Sequence, residues 1–255
     1  MTQQIKSLIR EAARRHDPWQ VFTDFVAMSA ISLSNAVDLR QRESREAEYL
    51  RIVQKYGKDE LALFPRMLAA VVDALEADMT DVLGRVFAEL DFGSKWAGQF
   101  FTPDPIARMI AAMSAGPDIR ALIEQRGFVR ASEPAAGSGV MVIALCRELR
   151  AQGINYQQHL HVTAADIDLR AVHMAYVQFS LLHVPAVIVH GNSLSLEKWS
   201  HWYTPAHILG GWEARLRSSG NDRVHVSEAP PLSPATTSSD GDDAPARAPR
   251  QLSLF

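Results

Sequence analysis

The sequence predicts an α/β fold in which a parallel sheet follows a helical N-terminal region. Residues 1–97 carry apolar side chains at helical spacing, which indicates amphipathic helices packed on a core. From Phe128 to Leu149, a short apolar strand, a glycine turn and a helix follow one another. Two further apolar segments, Leu160–Ala165 and Ala186–Val189, flank a second helical pattern. The order is therefore βαβαβ, which predicts a Rossmann-like sheet with right-handed crossovers.

Length and composition allow one large domain or two small ones. The chain has 255 residues, of which 47% are hydrophobic, so a sizeable core can form. The net charge of -3 does not indicate a nucleic-acid binder, and any DNA contact is expected from a local basic patch or a partner. Cys146 is the only cysteine, which excludes an internal disulfide framework. No metal-ligand cluster and no run of transmembrane length is recognisable, so we expect a soluble, cytoplasmic protein without a metal site.

The helical region divides into segments with recognisable ends. Asp17 and Pro18 are predicted to cap and start one helix, and Thr80 is predicted to cap the last one. The stretch 40–51 is rich in charges of both signs. Such a pattern favours a solvated helix face, with a DNA-facing surface as the alternative. Residues 91–97 are predicted to connect this region to the sheet.

Two further elements are predicted outside the βαβαβ unit. A helix should run from Thr102 to Met113, because threonine is a good N-cap and Pro103 suits the first helical turn. A short fourth strand is predicted at Ala206–Leu209, followed by a helical end at Glu213–Arg217. The side chains predicted to face inward from the first of these helices are Ile106, Met109, Ile110 and Met113.

The end of the chain differs in composition from the rest. From residue 218, Ser, Pro, Asp, Thr and Ala dominate and large apolar side chains almost disappear. Such a segment cannot bury enough apolar surface to fold, so it is predicted to be disordered. The predicted organisation is a helical region at 1–97, a sheet domain at 98–217, a disordered tail at 218–250 and an apolar peptide at 251–255.

The glycine turn is the first candidate binding site. Glu133 and Pro134 end the first strand, and the small residues 135–139 let the backbone approach a ligand that a side chain would block. Asp166 ends the second strand, at the position where nucleotide-binding folds hold ribose hydroxyls. A helix cap or an exposed salt bridge is the alternative for each carboxylate. We favour the ligand for Asp166, and the two alternatives are even for Asp168.

Three motifs occur in order along the chain: GQFFTP at 98–103, EPAAGSG at 133–139 and ADID at 165–168. Together they resemble the amino-methyltransferases that methylate adenine N6 in DNA, above all the modification subunits of type I restriction systems. The resemblance is close from about Met79 to Ser195. It implies a methyltransferase fold, S-adenosylmethionine (SAM) as cofactor, double-stranded DNA with an adenine target as substrate, and a specificity or restriction subunit as partner.

The resemblance implies that the first two motifs hold the methionine end of SAM. Thr102 and Pro103 are expected along the methionine part with Phe100 as an apolar wall, and Glu133 is expected near the amino group. The turn that passes the methionyl and ribose region is expected to contribute Pro134, Ala135, Gly137, Ser138 and Gly139.

The adenosine end is implied to lie at the next two strand ends. Asp166 is expected to take the ribose hydroxyls, with Asp168 as a second candidate. Asn192 follows the third strand, where the family reads the cofactor adenine and often carries Asp. Asn still offers an acceptor and a donor, so this departure is mild.

The resemblance ends at the residues that act on the target base. The family places Asn or Asp, Pro-Pro and an aromatic residue after strand four, where they hold the amino group of a flipped-out adenine. This tetrapeptide is absent from the sequence. The segment in the expected place offers Tyr203, Thr204 and His207 as candidates. Two functions therefore remain open: an adenine-N6 DNA methyltransferase with a divergent loop, or a non-catalytic accessory protein that binds SAM or DNA.

The last five residues form a second motif. Gln251-Leu252-Ser253-Leu254-Phe255 resembles the short peptides with which bacterial polymerases and repair proteins dock on the DNA sliding clamp. The resemblance implies that Leu254 and Phe255 fill a hydrophobic pocket and that Gln251 makes hydrogen bonds in a second one. Leu252 and Ser253 are implied to bridge the two pockets. The alternative is an apolar C-terminus that folds back onto the domain.

Overall fold

The structure, a computed structural model, describes residues 2–90 and 102–219, and the backbone of 220–221 and 252–253. Residues 2–90 are helical, as predicted, and contain no strand. Their elements are α1 (Thr2–Ala12), α2 (Pro18–Asn35), α3 (Arg42–Val53), α4 (Lys58–Leu61), α5 (Leu63–Ala77) and α6 (Val82–Glu89).

The second part alternates helices and strands. Its elements are α7 (Asp104–Ser114), α8 (Ile119–Arg126), β1 (Val129–Glu133), α9 (Val140–Ala151), α10 (Tyr156–His159), β2 (Leu160–Asp166), α11 (Leu169–Leu181), β3 (Ala186–Asn192), β4 (Glu197–Tyr203), α12 (Pro205–Leu209), α13 (Trp212–Asn221) and β5 (Leu252–Ser253).

The strands form one sheet in the order β4-β3-β2-β1-β5. β1, β2 and β3 are parallel neighbours, so the predicted βαβαβ order and the Rossmann-like sheet are confirmed. Glu133 lies level with Ala164, and Asp166 lies level with His190. The carboxyl ends of the three strands therefore meet at one edge of the sheet, which we call the carboxyl edge.

Carboxylates cap α2 and α6, the first at the predicted residue and the second one residue later than predicted. Asp17 caps α2 and accepts from the backbone N–H of Trp19 at 2.8 Å, as predicted. α6, however, is capped by Asp81 and not by Thr80: the Asp81 carboxylate accepts from the Gly84 N–H at 2.9 Å.

The charge-rich helix α3 is mostly exposed, as the solvated-face prediction requires. Among the charged side chains of α3, Arg45 is buried, because it lies between the helical region and the sheet. Its guanidinium pairs with Asp38 at 3.0 Å, donates to the carbonyl of His201 at 2.8 Å and lies 3.9 Å from the centre of the Trp202 ring. A single side chain thus fixes α3 against β4.

Two predictions about α7 were wrong. The helix begins at Asp104 with Pro103 at the N-cap position, so Thr102 does not cap it. The side chains of Ile106, Met109 and Met113 are exposed, the last to 76%, and Ile110 is only partly buried. Ala107 and Ala111 form the buried face instead. Small residues allow two helices to approach closely, and α7 packs on α9 through this face.

The predicted fourth strand at Ala206–Leu209 was also wrong, because this segment is the helix α12. Thr204 caps it and Pro205 occupies its first turn, which starts a helix and ends a strand. The fourth strand is β4, which precedes this segment in the chain and runs antiparallel to β3. Because it returns along β3, β4 ends at the amino end of the parallel strands, where Tyr203 pairs with Val187.

The C-terminal boundary differs from the prediction as well. α13 continues to Asn221, so residues 218–221 are helical and not part of a disordered tail. β5 pairs in parallel with β1, with Leu252 opposite Ala131 and Ser253 opposite Ser132. This pairing agrees with the fold-back alternative for the last residues, and clamp docking stays a prediction. Gln251, Leu254, Phe255 and residues 222–250 lie outside the described residues.

None of the helices formed by residues 2–90 and 102–221 combines the length and apolar character that crossing a membrane requires. Nor does this part of the chain bring three His, Cys, Asp or Glu side chains together so that they could hold a metal ion. Cys146 is buried in α9, and burial raises the pKa of its thiol.

Candidate functional site

The candidate site lies at the carboxyl edge, where the ends of β1, β2 and β3 meet. Glu133 ends β1, Asp166 ends β2 and Asn192 ends β3. The glycine turn between β1 and α9 lies beside them, because the Gly137 N–H donates to Asp166 at 2.7 Å. The structure therefore brings together the polar side chains that the sequence predicted to face one ligand.

Two glycines give the turn its shape. Gly137 and Gly139 have φ angles of 53° and 98°, a backbone region that residues with a Cβ rarely adopt. Gly139 also lies against a buried ring, and a Cβ there would be 2.5 Å from Cε1 of Phe179. The turn thus depends on glycine at these positions.

The backbone N–H groups of the turn are directed back into the chain. Ala135 donates to the Glu133 carboxylate at 3.0 Å, and Ala136 donates to the carbonyl of Ala165 at 2.8 Å. Gly137 donates to Asp166, and Gly139 donates to the carbonyl of Ala136 at 2.8 Å. These four donors are therefore already satisfied within the protein.

Glu133 carries the strongest sign of a ligand. Its side chain is buried, and one carboxylate oxygen accepts from Ala135. Within the described part of the chain, the other oxygen, Oε2, has no hydrogen-bond partner. Burial raises the pKa of Glu133 to about 7, and the nearby Asp166 carboxylate adds to the increase. A buried acceptor without a partner is costly unless a ligand supplies a donor.

Asp166 shapes the site and keeps capacity for a ligand. Its Oδ2 accepts from Gly137, and its Oδ1 accepts from the Asp168 N–H at 2.9 Å. Burial raises the pKa of this carboxyl as well. Each carboxylate oxygen has a second lone pair, so the half-buried side chain can still accept from hydroxyl groups.

Asp168 has the capping role that was one of its two alternatives. It is the N-cap of α11, where it accepts from the Arg170 N–H at 2.8 Å and forms an ion pair with the Arg170 side chain. Its carboxylate is therefore committed to the start of the helix, whereas Asp166 faces the turn.

Asn192 lies at the site but uses part of its side chain locally. Its Oδ1 accepts from the N–H groups of Leu194 and Ser195, at 3.0 and 3.3 Å, and so shapes the turn between β3 and β4. The Ser193 hydroxyl donates to the carbonyl of Pro134. The hairpin of β3 and β4 is therefore anchored to the glycine turn.

The residues of the first motif are described only in part. Phe100 lies outside the described residues, Thr102 is half-buried and Pro103 is exposed. Asp104, the next residue, accepts from the Thr80 hydroxyl at 3.4 Å. Thr80 precedes Asp81, the cap of α6, so this contact places Asp104 and the adjoining Thr102 and Pro103 near the start of α6.

The candidate catalytic residues are not at this site. The Thr204 hydroxyl is buried, accepts from the Ala186 N–H at 2.9 Å and donates to the carbonyl of Val184 at 2.8 Å. His207 is buried too, and its Nδ1 lies 2.9 Å from Nε2 of His161. Both lie with Tyr203 at the amino end of the parallel strands, opposite the glycine turn. This position corrects the prediction that they handle a base beside the cofactor.

Sequence reasoning missed an aromatic side chain at the carboxyl edge. Trp199 belongs to the part of β4 that pairs with His190 and Gly191, at a break in the register of the two strands. Its side chain is 51% exposed, and its ring meets the His190 ring edge-on at 4.8 Å. Only the antiparallel course of β4 brings it here, which sequence spacing did not reveal.

The comparison with protein families agrees with this geometry. The model of the N-6 DNA Methylase family matches residues 77–210, more than half of the chain. The chain belongs to the N-6 DNA methylase family. A search of curated proteins gives no match. The part matched to the N-6 DNA methylase family begins at the end of α5 and ends just after α12, so it includes the glycine turn and the whole carboxyl edge. N-6 DNA methylases generally use SAM, and their substrate is DNA.

Proposed function

We propose that this protein binds SAM at the carboxyl edge of its sheet and methylates adenine N6 in double-stranded DNA. The observation that carries the proposal is the pair of carboxylates at the glycine turn. Glu133 is buried with one oxygen that has no partner among the described residues, and Asp166 ends the neighbouring strand. Two carboxylates at one edge favour a ligand with positive charge and hydroxyl donors.

The glycine turn favours SAM over a dinucleotide. A turn that binds phosphate directs its backbone N–H groups at the ligand. Here the N–H groups of Ala135, Ala136, Gly137 and Gly139 all have acceptors within the chain. SAM has no phosphate; it carries an ammonium group, a carboxylate, a sulfonium and two ribose hydroxyls. Its ammonium and hydroxyl groups match the two carboxylates of the site, and its own carboxylate needs donors other than these four N–H groups.

Each residue has a role that follows from its remaining hydrogen-bonding capacity. Glu133 accepts from the ammonium group through Oε2, and Asp166 accepts from the ribose hydroxyls. Asn192 donates from its amide nitrogen to the adenine ring, because its oxygen already holds the hairpin turn. Thr102 and Pro103 line the methionine part. SAM supplies a methyl group activated by the positive sulfur.

SAM affinity should rise with pH between about pH 6 and about pH 7.5. The pKa of Glu133 is about 7, so at the lower pH most molecules carry a protonated Glu133 that cannot pair with the ammonium group. We expect the dissociation constant to fall about fivefold to tenfold over this interval. Calorimetric titration of the wild type and of Glu133→Gln measures it.

The Gln variant is the control for this assignment. Glutamine has nearly the same size but no titratable group, so its SAM affinity should be lower at about pH 7.5 and nearly independent of pH. A wild-type affinity that does not change with pH, or the same pH dependence in Glu133→Gln, would show that another group binds the ammonium.

The transfer step needs a surface for the target base. The adenine amino group is a weak nucleophile because its lone pair is delocalised into the ring, so the base must be flipped out and held. Trp199 lies at the carboxyl edge with about half of its side chain exposed, and His190 supports its ring. In the proposed complex the flipped base stacks on Trp199. Target sequence recognition is expected from a specificity subunit.

Trp199→Ala should lower the rate of methyl transfer about fivefold to 150-fold, because stacking of one base on an aromatic side chain contributes about 1–3 kcal/mol. Tyr203→Ala is the matched control, because Tyr203 belongs to the same strand but lies at its other end. Transfer of labelled methyl groups from SAM to unmethylated DNA measures both rates, and SAM affinity should stay unchanged in both variants. Equal rates for wild type and Trp199→Ala would exclude this stacking role.

The position of the other candidates favours a second function. Tyr203, Thr204 and His207 lie at the opposite edge, so none of them can hold a base beside SAM. This observation suits an accessory protein that binds SAM or DNA without transfer. The same labelled-methyl experiment decides: no product on any DNA from a protein that binds SAM identifies the accessory function, and methylated adenine identifies the enzyme.

A further inference from the structure

A buried hydrogen-bond network joins the helical region to the glycine turn from behind. Its centre is Asp81, the N-cap of α6, which is 5% exposed. Oδ1 of Asp81 accepts from the Gly84 N–H and from the side-chain amide of Gln178, each at 2.9 Å. Oδ2 accepts from the hydroxyl of Ser138, the residue between the two turn glycines. One carboxylate thus contacts α6, α11 and the turn.

Gln178 closes the network. Its amide nitrogen also donates to the carbonyl of Ser138 at 2.8 Å, so the turn is held at both its side chain and its backbone. Its amide oxygen accepts from the N–H groups of Val82 and Leu83, at 2.8 and 3.1 Å. These two donors belong to the first turn of α6, where N–H groups have no partner within the helix. Gln178 is fully buried, and both ends of its amide are satisfied.

The close approach of α6 to the turn depends on a third residue. A Cβ at Gly84 would lie 2.0 Å from Oδ2 of Asp81 and 2.4 Å from Oγ of Ser138. Any side chain at this position would therefore push α6 away from the turn. Burial raises the pKa of Asp81, while the three donors around it favour its charged form.

We propose that Asp81 and Gln178 are positioning residues for SAM binding, and the inference rests on the proposed SAM site. Gly137 and Gly139 make the turn permissive, so an untethered turn would sample many conformations. The two bonds to Ser138 select the conformation in which Gly137 reaches Asp166. A site ordered before binding loses less entropy when the ligand binds. Neither residue needs to touch SAM for this effect.

Three variants test the proposal. Asp81→Ala removes the tether and should weaken SAM binding at least about tenfold. Asp81→Asn should bind within about threefold of the wild type, because its oxygen can accept from Gly84 and Gln178, and its new amide can donate to the Ser138 hydroxyl, which rotates to accept. Asp38→Ala is the control for a lost buried carboxylate, because Asp38 is buried and pairs with Arg45, which fixes α3 to β4.

The measurements are calorimetric SAM affinity, melting temperature and hydrogen exchange of the 135–139 amides in the free protein. Asp38→Ala should lower the melting temperature and leave SAM affinity and turn exchange unchanged. Asp81→Ala should raise turn exchange, and Asp81→Asn should restore it. Wild-type affinity and wild-type turn exchange in a folded Asp81→Ala protein would overturn the proposal. The proposal would also be overturned if Asp38→Ala lost as much SAM affinity as Asp81→Ala for the same loss of stability.

The exchange measurement also separates this proposal from the proposed function. If the wild type does not bind SAM, the proposed function fails. Faster exchange of the 135–139 amides in Asp81→Ala, with the wild-type rate in Asp81→Asn, would still show that Asp81 orders the turn. An unchanged exchange rate in Asp81→Ala would refute the tether itself, whatever the ligand is.

Discussion

Replacing Asp166 by alanine should weaken SAM binding at least about 100-fold while the protein stays folded. In the proposed complex the carboxylate accepts from two ribose hydroxyls, and hydrogen bonds to a charged group contribute about 1.5–3 kcal/mol each. The substitution also removes the acceptor of the Gly137 N–H, so the turn loses its link to β2. Both effects act in the same direction, and calorimetric titration measures their sum.

Asp168→Ala is the matched control for this prediction. Asp168 is the next acid along the chain, but its carboxylate caps α11 and pairs with Arg170. Its loss should lower stability by at least about 1 kcal/mol, because it removes the cap and also a partner of the buried Arg170 guanidinium, and it should change SAM affinity little. Unaltered binding by Asp166→Ala, or an equal loss of affinity in both variants, would mean that the ribose is held elsewhere.

Gly139→Ala should lower the melting temperature by on the order of 10 °C. The new Cβ would lie 2.5 Å from the Phe179 ring, and Phe179 is fully buried with little room to move. Overpacking of this kind costs about 1–3 kcal/mol. The φ angle of 98° adds about 1–2 kcal/mol, because a residue with a Cβ is strained there. Thermal unfolding followed by circular dichroism measures the change.

Gly153→Ala separates the two contributions. Gly153 also has a positive φ, of 74°, but no neighbouring atom lies within 4 Å of the point that a Cβ would occupy. It should therefore show the backbone cost alone and a clearly smaller drop in melting temperature. Equal decreases in melting temperature for the two variants would show that the contact with Phe179 does not destabilise Gly139→Ala.

The βαβαβ unit and the positions of Glu133, Asp166 and Asn192 could be predicted from sequence, because they depend on local patterns. Strands and the turn that follows each of them leave a short-range signal, and parallel strands must end at the same edge. The capping role of Asp17 was predictable for the same reason, since the cap and the two N–H groups that donate to it are neighbours in the chain.

The features that the sequence did not reveal depend on contacts between distant segments. β4 turns back along β3 through a tight turn in which Leu196 adopts a φ of 61°, a conformation for which leucine gives no signal. The tether of the glycine turn joins Asp81, Ser138 and Gln178, which are far apart in the chain. The inward face of α7 could not be predicted from the positions of its large apolar residues. Its buried face consists of Ala107 and Ala111, because small side chains let α7 pack closely on α9.

The pairing of β5 with β1 means that β1 competes with other proteins for Leu252 and Ser253. Leu252 and Ser253 cannot hydrogen-bond to β1 and to another protein at the same time. A protein that takes this peptide, such as the predicted sliding clamp, therefore binds only molecules whose β5 has separated from the sheet. Its apparent affinity falls by the fraction of such molecules. By the same linkage, its binding uncovers the edge of β1, the strand that leads into Glu133 and the glycine turn.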